Sequence, residues 1–383
     1  MTDTLHQPIR SEIVTTAGRL REVAAILGSQ QELAVDLEMD SLHHYREKVC
    51  LIQVSTRRDN WLIDPLALGD LSPLASVLGN PDIRIVMHGA DYDIRSLHRD
   101  FGLEVVNLFD TMIASRFLGI AEFGLAALLK ARFGVELNKK YQKADWSQRP
   151  LSSEMSAYAA ADTAYLLPLH DQLHSELVGR GAVPWLEEEC RLVCQARVTE
   201  KEGPLFLSCK GAGKLKGRKL AALEALLCMR DRYASALDRP PFKVLPADAL
   251  LTIAEQMPAT LAELSGVKGI TERLIQRYGT DILAAVASAM AQAERDLPRF
   301  PRKTREHPQE GARERLRKLK EWRERKSAEM GLEPGVLAPN WLLEGVADAN
   351  PRSAEELSAI SGMRLWQKEL YGEELPEALA DGI

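Results

Sequence analysis

Four acidic residues and a tyrosine, spread over three segments, have the types and spacing that could support metal-dependent chemistry. The first segment, LAVDLEMD, places Asp36 and Glu38 two residues apart in an apolar run that is typical of a strand. The second, VMHGADYDIRSL, places Asp93 just after another apolar run, and the third, YAAADTAYLL, places Tyr158 and Asp162 four apart in a helix-forming stretch. Residues two apart on a strand share a face, and so do residues four apart on a helix.

Carboxylates that converge in this way repel one another strongly unless cations lie between them. Hard divalent ions with oxygen ligands, Mg²⁺ or Mn²⁺, are the natural partners of such a group. Two of these ions roughly 4 Å apart form the clamp that supports in-line attack on a phosphodiester. The pattern therefore predicts a nuclease.

Each segment also has an ordinary structural interpretation. An Asp-x-Glu pair on a strand commonly faces solvent, an Asp after a Gly-Ala turn favours the start of a helix, and an Asp on a helix is a routine polar position. Around the first pair, however, the neighbours are apolar, and a buried carboxylate without a partner is costly. The conjunction of three such segments in this order favours a catalytic site over three coincidences.

The three segments resemble the three exonuclease motifs of the DEDD superfamily, in the subgroup with a tyrosine in the third motif, and are most similar to those of bacterial ribonuclease D. Asp36, Glu38, Asp93 and Asp162 fall on the four family acids, and Tyr158 falls on the family tyrosine. His88 stands five residues before Asp93, at the spacing of the second motif, and ADWSQRPLS at 144–152 resembles the segment before the third. The resemblance implies a ribonuclease H-like α/β fold with a mixed sheet and a 3′-5′ exoribonuclease that releases nucleoside 5′-monophosphates.

With the resemblance, two divalent metal ions are expected as cofactors. One would be held by Asp36, Glu38 and Asp162 and present the attacking hydroxide, and the other would be held by Asp36 and Asp93 beside the leaving 3′ oxygen. Tyr158 would hydrogen-bond the attacking water, and an ordinary tyrosine pKa of about 10 favours orienting that water over accepting its proton.

Three further residues are candidates for substrate binding: Leu37, Met39 and His88. Leu37 and Met39 alternate with the acids, so strand packing is the favoured alternative for both. The expected substrates are tRNA precursors and other RNAs with 3′ extensions. A DNA exonuclease would use the same metal site, and a scaffold without activity would be expected to lack some of the acids.

Two other groupings have metal-ligand spacing. Cys190 and Cys194 are four apart on a predicted helix, but no second Cys/His pair completes a zinc site. His170 and His174 have the spacing of a zinc-protease helix, with Asp171 between them, yet no third ligand is evident from the sequence. Surface histidines are the favoured interpretation.

Composition places the chain among large enzymes. With 383 residues, of which 45% are hydrophobic, two or three domains are expected. No run approaches the ~18 apolar residues of a membrane span, and MTDTLHQPIRSE does not read as a secretory signal. The five cysteines form no paired framework, so we expect a cytoplasmic protein. We also expect a monomer that binds RNA and does not bind a membrane.

Charge is distributed unevenly along the chain. The formal net charge is −6, yet residues 201–243 contain ten Lys/Arg against four Asp/Glu, including the run KGAGKLKGRK. This stretch could hold a phosphate backbone. Residues 331–383 have ten acidic residues against three basic ones, which argues against the same role there.

The pattern of elements predicts four parts. Residues 1–205 form the exonuclease domain, with an antiparallel meander over 33–37, 49–56 and 61–64, strands near 83–88 and 105–109, and one long helix over 152–178. The second half contains an internal repeat, since VLPADALLTIAEQMPATLAELSGVKGI parallels VLAPNWLLEGVADANPRSAEELSAISGM. Both copies resemble the all-α HRDC domain. They predict a first copy at 206–295, a linker at 296–311 and a second, divergent copy at 312–383.

Overall fold

The computed structural model describes residues 11–199, 202–301 and 310–380. The strands of this part are β1 Ser11–Val14, β2 Glu32–Met39, β3 Val49–Ser55, β4 Asn60–Ile63, β5 Arg84–Met87 and β6 Leu108–Asp110. The helices among and after the strands are α1 Ala17–Leu27, α2 Pro65–Leu68, α3 Ala75–Leu78, α4 Asp91–Phe101, α5 Thr111–Phe117, α6 Leu125–Phe133, α7 Ser153–Ala164, α8 Leu166–Arg180 and α9 Val183–Cys194. The first helical repeat contains α10 Arg218–Ala236, α11 Pro241–Val244, α12 Ala247–Gln256, α13 Leu261–Ser265 and α14 Glu272–Ala291. The second contains α15 Ala312–Met330, α16 Pro334–Leu337, α17 Asn340–Ala349, α18 Ala354–Ser358, α19 Leu365–Tyr371 and α20 Glu374–Ala380.

The six strands form one mixed sheet in the order β1-β4-β3-β2-β5-β6. Strands β2, β3 and β4 form the predicted antiparallel meander. The other three pairings are parallel: β1 with β4, β5 with β2, and β6 with β5. All seven residues of β3 are buried, as expected for a strand that is covered on both faces. The predicted fold class is confirmed: an α/β domain of the ribonuclease H-like type, built on a mixed sheet, precedes two all-α helical repeats.

The predicted single helix over 152–178 is wrong, because the structure has two helices there. Helix α7 ends at Ala164, Tyr165 has φ −106° and ψ 0°, and α8 begins at Leu166. Pro168 explains the break, since a proline lacks the amide hydrogen and its ring clashes with the carbonyl four residues earlier, here that of Ala164.

The described chain divides into two compact units. Residues 11–39, 49–198 and 310–380 form the first unit, and residues 40–48, 199 and 202–301 form the second. Within the second unit, the 40–48 loop contacts the first helical repeat, since the Tyr45 hydroxyl donates a 2.9 Å hydrogen bond to Asp231 and His44 Nδ1 lies 2.7 Å from Asp238 Oδ2. Half of the predicted linker at 296–311, namely residues 302–309, lies outside the described residues.

The two helical repeats have matching elements. Helices α10 and α15 have 19 residues each, α12 and α17 have ten, and α13 and α18 have five. Helices α12 and α17 both end at a residue with positive φ, which is 53° at Met257 and 49° at Asn350. The copies diverge afterwards, because α14 has 20 residues whereas α19 has only seven.

The second repeat packs directly on the α/β domain within the first unit, which the sequence did not indicate. The buried Trp366 side chain stacks on Trp185 at a ring-centroid distance of 5.4 Å and lies edge-to-face with Phe117 at 5.3 Å. The Glu188 carboxylate accepts hydrogen bonds from the backbone amides of Leu365, at 2.8 Å, and Trp366, at 3.0 Å. Among the residues described, none of the helices has the length and hydrophobicity that crossing a bilayer requires.

Candidate active site

Strand β2 carries the first two acids in the interior of the sheet, between β3 and β5. Asp36 pairs with Gln53 of β3, and Glu38 pairs with Leu51. The register shifts between Glu38 and Met39, because Met39 pairs with Val49. This bulge lies directly beside the second acid, where bulges commonly redirect a side chain.

Asp93 lies in the first turn of α4, after a tight loop at residues 88–90. Another carboxylate holds that loop in place: Asp110 accepts hydrogen bonds from the amides of Gly89, at 3.0 Å, and Ala90, at 2.8 Å. The same carboxylate caps α5 by accepting from Met112 at 2.8 Å. Asp110 was not among the residues predicted from the sequence. Its only local signal was an acidic residue at the end of a strand, before a helix.

Tyr158 and Asp162 lie one turn apart on α7, and hydrogen bonds hold this helix against the sheet. Thr163 Oγ1 lies 2.6 Å from Ser55 Oγ, and the Asn60 side-chain amide donates to the Ala160 carbonyl at 3.0 Å. These groups are buried, so their hydrogen bonds fix both the depth and the rotation of the helix.

Four of the five predicted catalytic residues line one cavity of about 440 Å³, namely Asp36, Glu38, Tyr158 and Asp162. Asp93 is not part of the cavity lining. Burial and then the charge of Asp36 raise the pKa of its carboxyl, so Asp93 belongs to the same electrostatic cluster. The cavity wall also contains residues that were not predicted from the sequence, including Asn138, Lys139 and Gln142 of the segment between α6 and α7.

Burial raises the pKa of every acid in the cluster, and repulsion from neighbouring carboxylates adds to this effect at Glu38, Asp93 and Asp162. Burial is the main cause for Asp36, whose pKa rises to about 7, and for Asp162, whose pKa rises to about 8. Glu38 reaches about 10, because the charges of Asp36, Asp162 and Asp93 add to the effect of burial on its pKa. Carboxylates under this repulsion are stable at neutral pH only if they bind protons or cations.

The donor set fits hard divalent cations. It consists of carboxylate oxygens alone, which suit Mg²⁺ and Mn²⁺ better than softer metals. All four side chains are partly exposed, and three of them line the cavity, through which an ion can approach the cluster. A cation among them would relieve the repulsion that raises the pKa of Glu38.

The Tyr158 hydroxyl is set to keep its proton. Burial, followed by the charges of Asp162, Glu38 and Asp36, raises its pKa above the ordinary value. A protonated hydroxyl at neutral pH can donate a hydrogen bond to a water or a phosphate oxygen, but it is a poor base. The raised pKa favours orientation of the water over proton transfer.

The three candidate substrate-binding residues differ in position. His88 and Leu37 line the cavity, whereas Met39 packs against the hydrophobic core of the first unit. His88 Nδ1 lies 2.9 Å from Thr111 Oγ1, and burial lowers the pKa of the imidazole. A neutral His88 is therefore expected at the cavity wall.

The alternative zinc motifs have other roles in the structure. Glu32 lies beside His170 and Asp171 and offers the third ligand that the sequence did not reveal. However, the Arg57 guanidinium binds Glu32 and makes two 2.8 Å hydrogen bonds to Asp171, so a cation already neutralises this group. Cys190 and Cys194 are buried in the core, consistent with packing.

Comparisons with known proteins agree with this site. Residues 11–178 match a family model described as 3′-5′ exonuclease, and residues 219–286 and 312–379 each match the HRDC domain. Exosome complex component 10 of Rattus norvegicus is 39% identical over 269 residues, which cover 66% of this chain but only 30% of the rat protein. The chain thus spans less than a third of that relative's length.

Two solved structures are also similar. The catalytic core of RRP6 from Trypanosoma brucei is 32% identical, with a TM-score of 0.66, covering 74% of this chain and 80% of that one. Escherichia coli RNase D, described as an exoribonuclease involved in structured RNA processing, is 27% identical with a TM-score of 0.72. That alignment covers 97% of this chain and 99% of RNase D.

Proposed function

The chain belongs to the 3′-5′ exonuclease family and carries two HRDC domains, and on this basis we propose that it is an exoribonuclease that removes nucleoside 5′-monophosphates from RNA 3′ ends. One observation carries the proposal. The four acids and Tyr158 lie on three separate elements, yet the acids act on one another's pKa around a single cavity. Similarity to RNase D and to the RRP6 catalytic core favours RNA as the substrate.

The enzyme uses divalent metal ions, and we assign two per site. Asp36, Glu38 and Asp162 would hold one ion, and Asp36 and Asp93 the other. Bound there, the ions would supply an activated water and charge stabilisation at the leaving oxygen. The carboxylates bind and space these charges, and Asp36, which serves both ions, is the least replaceable of them.

The other cavity residues handle the substrate. The protonated Tyr158 hydroxyl hydrogen-bonds the attacking water and orients it toward the phosphorus. Lys139 in the cavity wall provides a positive charge for a phosphodiester. Neutral His88 and the edge of Leu37 border the space for the terminal nucleotide.

The physiological substrates that fit this proposal are tRNA precursors and other structured RNAs with 3′ extensions. Residues 201–243 contain the basic run, and Lys210, Lys214, Lys216 and Lys219 are exposed there, available to a phosphate backbone. All five cysteines are free thiols, which supports the reducing cytoplasm as the site of action. We also propose that the chain acts as a monomer, although its rat relative is named as a component of a complex, and sedimentation of the purified protein tests this.

The decisive experiment compares 5′-labelled RNA and DNA oligomers of one sequence, each incubated with Mg²⁺, Mn²⁺ or EDTA. We expect RNA to shorten stepwise from its 3′ end with either metal, and no cleavage in EDTA. Asp36→Asn, which keeps the shape of the side chain but removes its charge, is the control and should be inactive. Faster digestion of DNA would assign the site to a DNA exonuclease, and RNA binding without hydrolysis would indicate a scaffold.

A further inference from the structure

Tyr158 is held in place by aromatic side chains outside the three exonuclease motifs. The Trp146 side chain is 1% exposed, and its ring centroid lies 5.9 Å from that of Tyr158 at an interplanar angle of 39°. Tyr141 meets the same ring edge-on, at 5.9 Å and 68°. Both residues belong to the segment between α6 and α7. Contacts from two directions restrict how the Tyr158 ring can tilt, and therefore where its hydroxyl lies.

Arg149 anchors this segment. Its guanidinium donates two hydrogen bonds to the buried Asp64 carboxylate, at 2.6 and 2.8 Å. Two more go to the carbonyls of Trp146 and Gln148, both at 2.8 Å, and a fifth goes to the Cys50 carbonyl at 2.7 Å. These five hydrogen bonds use all five N–H donors of the guanidinium, so the position of the Arg149 side chain is fixed.

The acceptor on Cys50 connects this anchor to the catalytic strand. Glu38 pairs with Leu51 and Met39 pairs with Val49, so the register passes over Cys50 at the bulge. The carbonyl that Arg149 binds therefore belongs to the bulge beside Glu38. A single guanidinium thus joins the strand bulge near one acid to the segment that packs against Tyr158.

We propose that Trp146 and Arg149 are positioning residues that set the Tyr158 hydroxyl relative to the acids of β2, an inference that rests on the exonuclease function proposed above. Arg149 fixes the backbone of Trp146 against the bulge, and the Trp146 ring fixes Tyr158. Neither side chain lines the cavity, so neither touches the substrate. Displacement of a catalytic group by about 1 Å can cost up to about 10²-fold in rate, so a partial loss of this support should appear in kcat.

The test is a double-mutant cycle of Trp146→Phe with Tyr158→Phe. In the wild-type background, Trp146→Phe should lower kcat about tenfold and leave KM within about twofold, because only the orientation of Tyr158 changes. In the Tyr158→Phe background, where no hydroxyl remains to be positioned, Trp146→Phe should have almost no further effect. Trp61→Phe, at a buried tryptophan on β4 of the same domain, is the matched control and should leave kcat unchanged.

Equal fractional losses in both backgrounds would overturn the positioning role, because a merely structural substitution multiplies with Tyr158→Phe. If Trp146→Phe fails to fold in a thermal-unfolding measurement, Arg149→Lys carries the same cycle, since it keeps the charge beside Asp64 and removes the bond to the bulge. A wild-type protein that degrades neither RNA nor DNA would instead overturn the proposed function. An active wild type with multiplicative losses would overturn only this inference.

Discussion

At the scale of single residues, the ionisation of the clustered groups determines what each can do. Asp36 and Asp162, with pKa values of about 7 and 8, are near their midpoints at neutral pH when no metal is bound, and Glu38, near 10, is protonated. The metal-free cluster is therefore only partly charged. Binding of divalent cations must displace protons from it, so metal affinity should rise with pH.

Stability provides a first prediction from the same pKa values. Because the folded-state pKa of these acids lies above the unfolded value of about 4, their contribution to stability is complete below pH ~4 and is lost as pH rises through the folded pKa values. We expect the Tm difference between protein with Mg²⁺ and protein with EDTA to grow from pH 5 to pH 8. Asp36→Asn should raise the Tm in EDTA and reduce this difference. A metal-induced Tm increase that is the same at every pH would contradict the assignment.

Tyr158 supports a second prediction. Since its pKa is raised above the ordinary value, the hydroxyl stays protonated through pH 9 and serves to orient the water. Tyr158→Phe should lower kcat by about 10² and leave RNA affinity unchanged, because only a positioning hydrogen bond is lost. The fractional loss should be constant from pH 7 to pH 9. A loss that increases steeply with pH would indicate that the tyrosine acts as a base.

At the scale of elements, the positions of Tyr158 and Asp162 depend on the hydrogen bonds that hold α7 against β3 and β4. These hydrogen bonds form a small buried network. Thr163 Oγ1 lies 2.6 Å from Ser55 Oγ, and the Asn60 side-chain amide donates to Ser55 Oγ at 2.8 Å. The network lies one residue after Asp162, so a shift of α7 moves that acid as well.

Thr163→Val tests this element. The substitution keeps the shape of the side chain and removes the buried partner of the Ser55 hydroxyl, which costs about 1–3 kcal/mol. We expect chemical denaturation to show that loss, together with a lower kcat. Thr252→Val, which removes only a hydrogen bond to the Asp248 carbonyl within a helix at a more exposed position, should change neither quantity appreciably. Equal effects of the two substitutions would show that this hydrogen-bond network does not position α7.

At the scale of the whole molecule, the two helical repeats differ in how they pack. The second repeat shares a hydrophobic core with the exonuclease domain, and Trp366 is 2% exposed within it. The first repeat has its own core in the second unit. We therefore expect the second repeat to stabilise the exonuclease domain. For the first repeat we propose substrate capture, because exposed lysines lie at 210–219.

Trp366→Ala measures the stabilising role. Removing a buried tryptophan that contacts Trp185 and Phe117 should cost about 3–5 kcal/mol and lower the Tm of the exonuclease domain itself. Trp341→Ala in the same repeat is the control, because that side chain is 51% exposed. An unchanged Tm for Trp366→Ala would mean that the repeat folds independently of the exonuclease domain.

Capture by the first repeat is tested by changing Lys210, Lys214, Lys216 and Lys219 to Gln. Each lost phosphate contact should flatten the dependence of log affinity on log salt by about 0.7 for single-stranded RNA. We expect weaker binding of tRNA-sized RNA and little change in the cleavage of short oligomers. Changing the exposed Arg313, Arg317 and Lys320 of α15 should alter the slope less, since Arg317 is already paired with Glu314 and Glu321. Unaltered slopes for the first variant would leave the repeat with a protein-binding or spacer role.

From its sequence alone, this protein could be assigned to its fold class and given five candidate catalytic residues. Side-chain type and the spacing of two residues on a strand or four on a helix are local properties. The acids of β2 and the Tyr158–Asp162 pair can therefore be recognised directly in the sequence. The broken helix at Tyr165 could also have been predicted, because Pro168 is present in the sequence. The catalytic role of each residue stays a prediction until variants are measured.

Only the tertiary structure showed which distant residues support these groups. Asp110 holds the loop before Asp93 through backbone amides about 20 residues earlier, and Arg149 binds Asp64, 85 residues away. Glu188 binds the amide of Leu365 across 177 residues, which joins the second repeat to the exonuclease domain. Such contacts have no local periodicity, since they depend on where chain folding brings a carboxylate and an unsatisfied donor together. Their physical basis is the cost of leaving buried polar groups unpaired, and only the folded chain determines which groups are buried.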